Sequence, residues 1–190
     1  RRSAIGLLRI IIENKLSIKL RDLVSYSIRL YIEQGVEIKN ENTETEVLDF
    51  LKERMRNILK LKNIKIDIIE ASISSHTGDT FLDLYKKNLL MNKYINKDVG
   101  INAISSYKRA SNITDKVEKK ITGRPDAVLF RTEEEKILFE KINEIRKAFT
   151  VKENNKDYEN LLIRLSETKQ FTDNFFDNVV VNDENQDIKK

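Results

Sequence analysis

Thr43-Glu44-Thr45-Glu46-Val47-Leu48-Asp49-Phe50-Leu51-Lys52-Glu53-Arg54-Met55-Arg56-Asn57-Ile58-Leu59-Lys60-Leu61 reads as one long helix. Thr43 and Glu46 have the spacing of a capping box, in which each side chain satisfies a backbone N–H left open by the first turn. Val47, Leu48, Phe50, Leu51, Met55, Ile58, Leu59 and Leu61 recur at helical intervals and mark one apolar stripe. Lys52, Arg54, Arg56, Lys60 and Lys62 populate the rest of the surface. The composition extends this reading to the whole chain. Its 190 residues include five Gly and one Pro, too few turn residues for many short strands, and 35% are charged. An average domain carries roughly 25% charged residues, so the excess suits helices with solvated outer faces.

Upstream, the run Ala4–Ile12 is almost continuously apolar and reads as a buried helix. A second helix is expected over about 21–34, closed by Gly35. The polar loop 36–46 is where a change of structural unit is expected. Downstream, residues 64–73 alternate early and fit either a strand or a short helix. Asp79 can cap a helix through Tyr94, and another carries Ile101, Ile104, Tyr107 and Ile113. Gly123-Arg124-Pro125-Asp126 is the strongest break. Thr132 and Glu135 give a second capping box before an amphipathic helix with Ile137, Leu138, Ile142, Ile145, Ala148 and Phe149. Two more helices are expected, one over about 158–167 and a last one holding Phe171, Phe175, Phe176 and Val179–Val181. The fold class is all-α, a bundle of about six to eight helices.

A chain of this length can bury roughly 70% of its unfolded surface, enough for one domain or slightly more. No Cys excludes a disulfide scaffold, a Cys zinc site, an iron–sulfur cluster and a cysteine nucleophile. A single His, His76, in a polar turn leaves His-pair metal sites without ligands and reads as an exposed loop residue. No apolar stretch is long enough to cross a membrane. The start at Arg1-Arg2-Ser3, without Met, reads as that of a chain cut from a longer one.

The net charge of +4 is a mild basic bias. It is concentrated: residues 105–124 hold Lys108, Arg109, Lys116, Lys119, Lys120 and Arg124 against Asp115 and Glu118. Beside them stand Tyr107 and Asn112. Cations hold phosphate, an aromatic ring stacks on a base and an amide reads a base edge, which is what RNA asks of a protein. A solvated helical face is the commoner origin of such a run. Phe175-Phe176-Asp177-Asn178 places two aromatic rings about 100° apart on a helix, so that one can be core while Phe176 or Asn178 contacts a base. Asp126, Glu133, Glu134 and Glu135 read as charge complementing a helix N-terminus rather than as acid–base machinery.

Five segments, in order, carry a family resemblance. They are Ala4–Ile11, Val47–Arg54, Tyr107–Ile113, the region of Glu135–Leu138, and Phe175–Val181. The chain resembles the C-terminal region of the β subunit of bacterial-type heterotetrameric glycyl-tRNA synthetase. That resemblance implies an all-helical anticodon-binding domain over 41–190, related to the one in arginyl-tRNA synthetase. Residues 1–40 would be a helical connector after an upstream domain absent here. It implies glycine tRNA and a catalytic α subunit as partners, in the cytoplasm. Glycine activation with ATP and Mg is then the α subunit's work, and this chain has no catalytic residue, cofactor or metal of its own. By matching position, Arg109 and Lys108 would bind phosphate or a base edge. Asn112 and Asn178 would hydrogen-bond bases, and Tyr107 or Phe176 would stack. Arg54 and Arg56 are weaker candidates. The alternative is a helical protein-docking scaffold with no RNA contact. That alternative expects Tyr107, Phe176 and the Val179–Val181 run in one exposed apolar patch.

Overall fold

A computed structural model of the chain describes residues 2–75, 80–114, 125–150 and 157–179. Among them are eight α-helices and one 3-10 turn, with no strand. The all-α expectation holds. The chain divides into two compact units, Arg1–Lys93 and Tyr94–Lys190.

The first unit contains α1 (Arg2–Glu13), α2 (Leu20–Glu33), α3 (Thr43–Leu61), α4 (Ile66–Ser74) and nearly all of α5 (Phe81–Tyr94). The long helix read from the sequence is α3, and α1, α2 and α4 all pack against it. Its buried stripe is narrower than the sequence stripe: Leu48, Leu51, Met55 and Leu59. Phe50 stays partly exposed and Leu61 is 78% exposed. Leu8 and Ile11 of α1, Leu20 of α2, Ile68, Ile69 and Ile73 of α4 and Phe81, Leu82 and Leu84 of α5 are also buried. The Ala4–Ile12 run is therefore helical but only one face is buried, and Ile10 is 55% exposed. The ambiguous 64–73 stretch is helical from Ile66 on, with Ile68, Ile69 and Ile73 on its buried side and Ile64 buried just before it.

Gly35 ends α2 as expected. Its φ of +80° lets the Val36 N–H reach the Tyr31 carbonyl at 3.0 Å and its own N–H reach Ile32 at 2.9 Å. The Thr43/Glu46 capping box does not form. Thr43 is already the first helical residue, and its hydroxyl donates backward to the Asn40 carbonyl at 2.6 Å. The Asn40 amide takes Glu46 instead, at 2.9 Å. At α5 the expected cap Asp79 lies outside the described residues, and the Thr80 hydroxyl accepts from the Asp83 N–H at 3.2 Å. The loop 36–42 joins two helices that pack on each other, and the division into compact units follows Lys93.

The second unit contains α6 (Asp98–Thr114), the 3-10 turn Ala127–Leu129, α7 (Glu133–Thr150) and α8 (Tyr158–Asn178). The Thr132/Glu135 box does form. The Thr132 N–H donates to Glu135 Oε2 at 2.8 Å and the Glu135 N–H to Thr132 Oγ1 at 3.3 Å. Asp126 accepts from the Val128 N–H at 3.0 Å, and Glu133 and Glu134 sit in the first turn of α7. The acidic knot thus serves the helix starts. The two helices expected over 158–181 are one helix of 21 residues, capped by Asp157. Its polar middle is buried: Thr168 and Thr172 each lie 3.0 Å from the Ser106 hydroxyl on α6. α8 packs along both α6 and α7.

Candidate nucleic-acid interface

The candidate residues of the second unit sit on α6 and on the last turns of α8. Ser106 defines the inner face of α6. Residue 108 lies about 200° round the helix from it, so Lys108 points away from α8. The outer face forms a cleft of about 510 Å³. Ile95, Ile101 and Ile104 make its apolar wall, and Ser105, Lys108, Arg109 and Asn112 its polar rim. The cleft is a shallow, largely open depression rather than an enclosed pocket. Lys108 and Asn112 are exposed, and Tyr107 beside them is 72% exposed. An apolar wall with a cation, an amide and a nearby exposed ring can take a flat base and its phosphate.

The cleft depends on the turn before α6. Tyr94 and Ile95 approach the helix so closely that a Cβ on Gly100 would lie 2.8 Å from the Tyr94 carbonyl carbon and 2.9 Å from Ile95 Cα. Lys97 closes the turn by donating to the Tyr94 carbonyl at 2.8 Å.

Arg109 is placed differently from Lys108. At the border between the outer face and the α8 contact, it donates through Nη1 to Asp173 at 2.8 Å and through Nη2 to Asp177 at 2.5 Å. Its guanidinium carbon stands 5.5 Å from the Phe176 ring centre. The fork expected to hold RNA is engaged by two carboxylates of α8. The hydrogen bonds it donates to Asp177, then to Asp173, push the guanidinium's pKa up. Asp173 is held below the ordinary carboxylate range, first by Lys169 at 2.5 Å and then by Arg109. A carboxylate with a depressed folded pKa stabilises the fold above its unfolded pKa and loses that contribution as pH falls through the lowered value. Asp173→Asn should therefore cost stability near neutral pH. The difference from the native chain should shrink toward zero on acidification well below 3.8, the ordinary value. Thermal unfolding from pH 7 to pH 2 checks this.

Phe176 is half-buried, packed edge-to-face on Phe175 at 5.0 Å, and so is not a freely exposed stacking ring. Asn178 is exposed, but its amide donates to the Asn174 carbonyl at 2.8 Å. Arg54 and Arg56 belong to the first unit. Arg56 binds Glu70 with two parallel bonds, Nε–Oε1 at 2.9 Å and Nη2–Oε2 at 3.0 Å, and also pairs with Glu53, which ties α3 to α4. Arg54 lies over the Phe50 ring at 4.0 Å, and its buried Nε has no hydrogen-bond partner among the described residues. Lys116, Lys119, Lys120, Arg124, His76, Val180 and Val181 lie outside the described residues. Among the described residues, no group of three or more His, Asp or Glu is placed to hold a metal ion, and no helix is long and apolar enough to cross a membrane.

Sequence reasoning missed Ser106, Thr168, Thr172, Asp173 and Asp177, which join α6 to α8. The Lys169/Asp173/Asp177 spacing of four was visible as one helical ridge. Their partners lie 62 to 68 residues away, beyond any local pattern.

Residues 103–190, which include most of α6 and all of α8, match the family model of the DALR anticodon binding domain. The second unit is all-α, and most of it is similar to that anticodon-binding domain. Residues 1–74 match the model of the glycyl-tRNA synthetase beta subunit. Curated relatives point the same way. The glycine–tRNA ligase beta subunit of Rickettsia canadensis is 38% identical over 183 residues, 96% of this chain and 26% of that protein. That of Rickettsia africae is 39% identical over 190 residues, 99% of this chain and 26% of its own length. That of Rickettsia prowazekii is 38% identical over 188 residues, with the same coverages. The chain resembles the C-terminal region of the bacterial-type glycyl-tRNA synthetase β subunit, as its five segments indicated. It spans about a quarter of the length of these curated relatives.

Proposed function

We propose that the chain binds tRNA through the outer face of α6, as the anticodon-recognising part of a glycine–tRNA ligase β subunit. The observation that carries this reading is the exposed pair Lys108 and Asn112 on the cleft rim, with the exposed Tyr107 ring on a neighbouring side of the same helix, within the segment that matches the anticodon-binding model. In this reading Lys108 holds phosphate, Asn112 hydrogen-bonds a base edge, and Tyr107 or the isoleucine wall takes a base face. Asn178 flanks the α8 end of the same unit. Arg54 and Arg56 support the first unit rather than RNA. Catalysis, with ATP and Mg, belongs to the α subunit of a cytoplasmic heterotetramer, and the chain itself contributes affinity and selectivity for glycine tRNA. A docking scaffold would present Phe176 in an exposed apolar patch, and its half-buried place beside Arg109 does not favour that reading.

The test is a titration of the 190-residue chain with a glycine-tRNA transcript at two salt concentrations. Lys108→Ala should weaken binding roughly 3- to 10-fold and lower the salt slope by about 0.7–0.9, the worth of one phosphate contact. Equal affinity and equal slope in the variant would remove Lys108 from the interface.

A further inference from the structure

Arg109 lines the cleft between Lys108 and Asn112, yet its fork is bonded to Asp173 and Asp177. The two carboxylates are unequal. Asp173 is 27% exposed and is also held by Lys169. Asp177 is 63% exposed, and Arg109 is its one ion-pair partner among the described residues. Asp177 also stands in the last turn of α8, where the helix dipole presents negative charge and disfavours a carboxylate. Its placement gains little locally, which calls for another reason.

We infer that Asp177 is an exchangeable partner: it holds Arg109 in the free protein and yields it to a phosphate of the bound tRNA. The inference rests on the reading of the α6 face as the RNA interface. Asp173 and the Phe176 ring keep the guanidinium in position while the outer bond changes hands. Water screens an ion pair as exposed as Arg109–Asp177, so its loss costs little. A guanidinium–phosphate contact is charge-assisted and releases counterions from the RNA, so the exchange is favourable only when a polyanion is present. Asp177 then acts as a filter, lowering affinity for anions that cannot also satisfy Lys108 and Asn112.

The experiment is the same glycine-tRNA titration with Asp177→Asn, Arg109→Ala and the double variant. Thermal unfolding of each variant confirms that it is folded. Asp177→Asn should tighten binding roughly threefold, the scale of one exposed charge interaction. The gain should vanish when Arg109 is also Ala. A gain of the same size in the Arg109→Ala background would mean simple removal of repulsion and would overturn the exchange. An unchanged or weaker affinity for Asp177→Asn, with Lys108→Ala still impaired, would overturn the exchange and leave the RNA reading standing. No salt-dependent binding by the native chain would overturn both.

Discussion

Gly100→Ala should deform the cleft more than any substitution on its rim. The added Cβ meets main-chain atoms, the Tyr94 carbonyl and Ile95 Cα, which cannot move aside as a flexible side chain can. Either the N-terminal turn of α6 shifts or the Tyr94–Lys97 turn does. Overpacking of this kind costs about 1–3 kcal/mol, and contact with backbone belongs at the upper end. Because Ile95 is part of the cleft wall, tRNA affinity should fall together with thermal stability. Lys108→Ala should weaken tRNA binding while leaving stability nearly unchanged. Paired unfolding and binding measurements on the two variants distinguish a lost wall from a lost charge.

Leu59→Ala should be the most damaging change in the first unit. Leu59 is fully buried in the last turns of α3. Its carbonyl also accepts from the Lys62 N–H at 3.0 Å, so the core contact and the helix end meet at one residue. Truncating a buried leucine removes its transfer free energy and leaves a cavity, together about 2–5 kcal/mol. Leu61, two residues on and 78% exposed, should tolerate alanine within about 0.5 kcal/mol. Chemical denaturation of the two variants checks the contrast. Equal losses would mean that the α3 stripe is misplaced.

Helix identity was legible in the sequence wherever apolar spacing and caps agreed. α3, α7 and the Gly35 stop show this. Two identical capping-box spacings nevertheless had different outcomes. Thr132 and Glu135 bond each other's backbone N–H, whereas before α3 the Asn40 amide engages Glu46 and the Asn40 carbonyl accepts from the Thr43 hydroxyl. The break expected in α8 lies between residues 167 and 171, where the polar Thr168 is buried against α6. Buried hydroxyls that satisfy one another across helices look, in one dimension, like surface. The candidate site was legible as a cluster on α6, but not in its division of labour. Lys108 and Arg109 are neighbours in sequence, and a step of about 100° round the helix sends the first toward the open cleft and the second toward Asp173 and Asp177. Which cation is engaged depends on a partner 64 residues away. The carboxylates of α8 carry no local sign of that pairing beyond their spacing of four.

If the second unit reads an anticodon, its affinity is expected to be modest and shared with contacts elsewhere on the tRNA. Each stacked base contributes on the order of 1–3 kcal/mol, and among the described residues of α6 and its cleft Tyr107 and the isoleucine wall offer a surface for one. Nuclease footprinting of a glycine-tRNA transcript bound by the chain tests this most directly. The expected result is protection confined to the anticodon loop and its stem, lost with Lys108→Glu and weakened when the anticodon is changed. Protection of the acceptor end instead, or a pattern indifferent to both changes, would contradict the assignment of the α6 face to the anticodon.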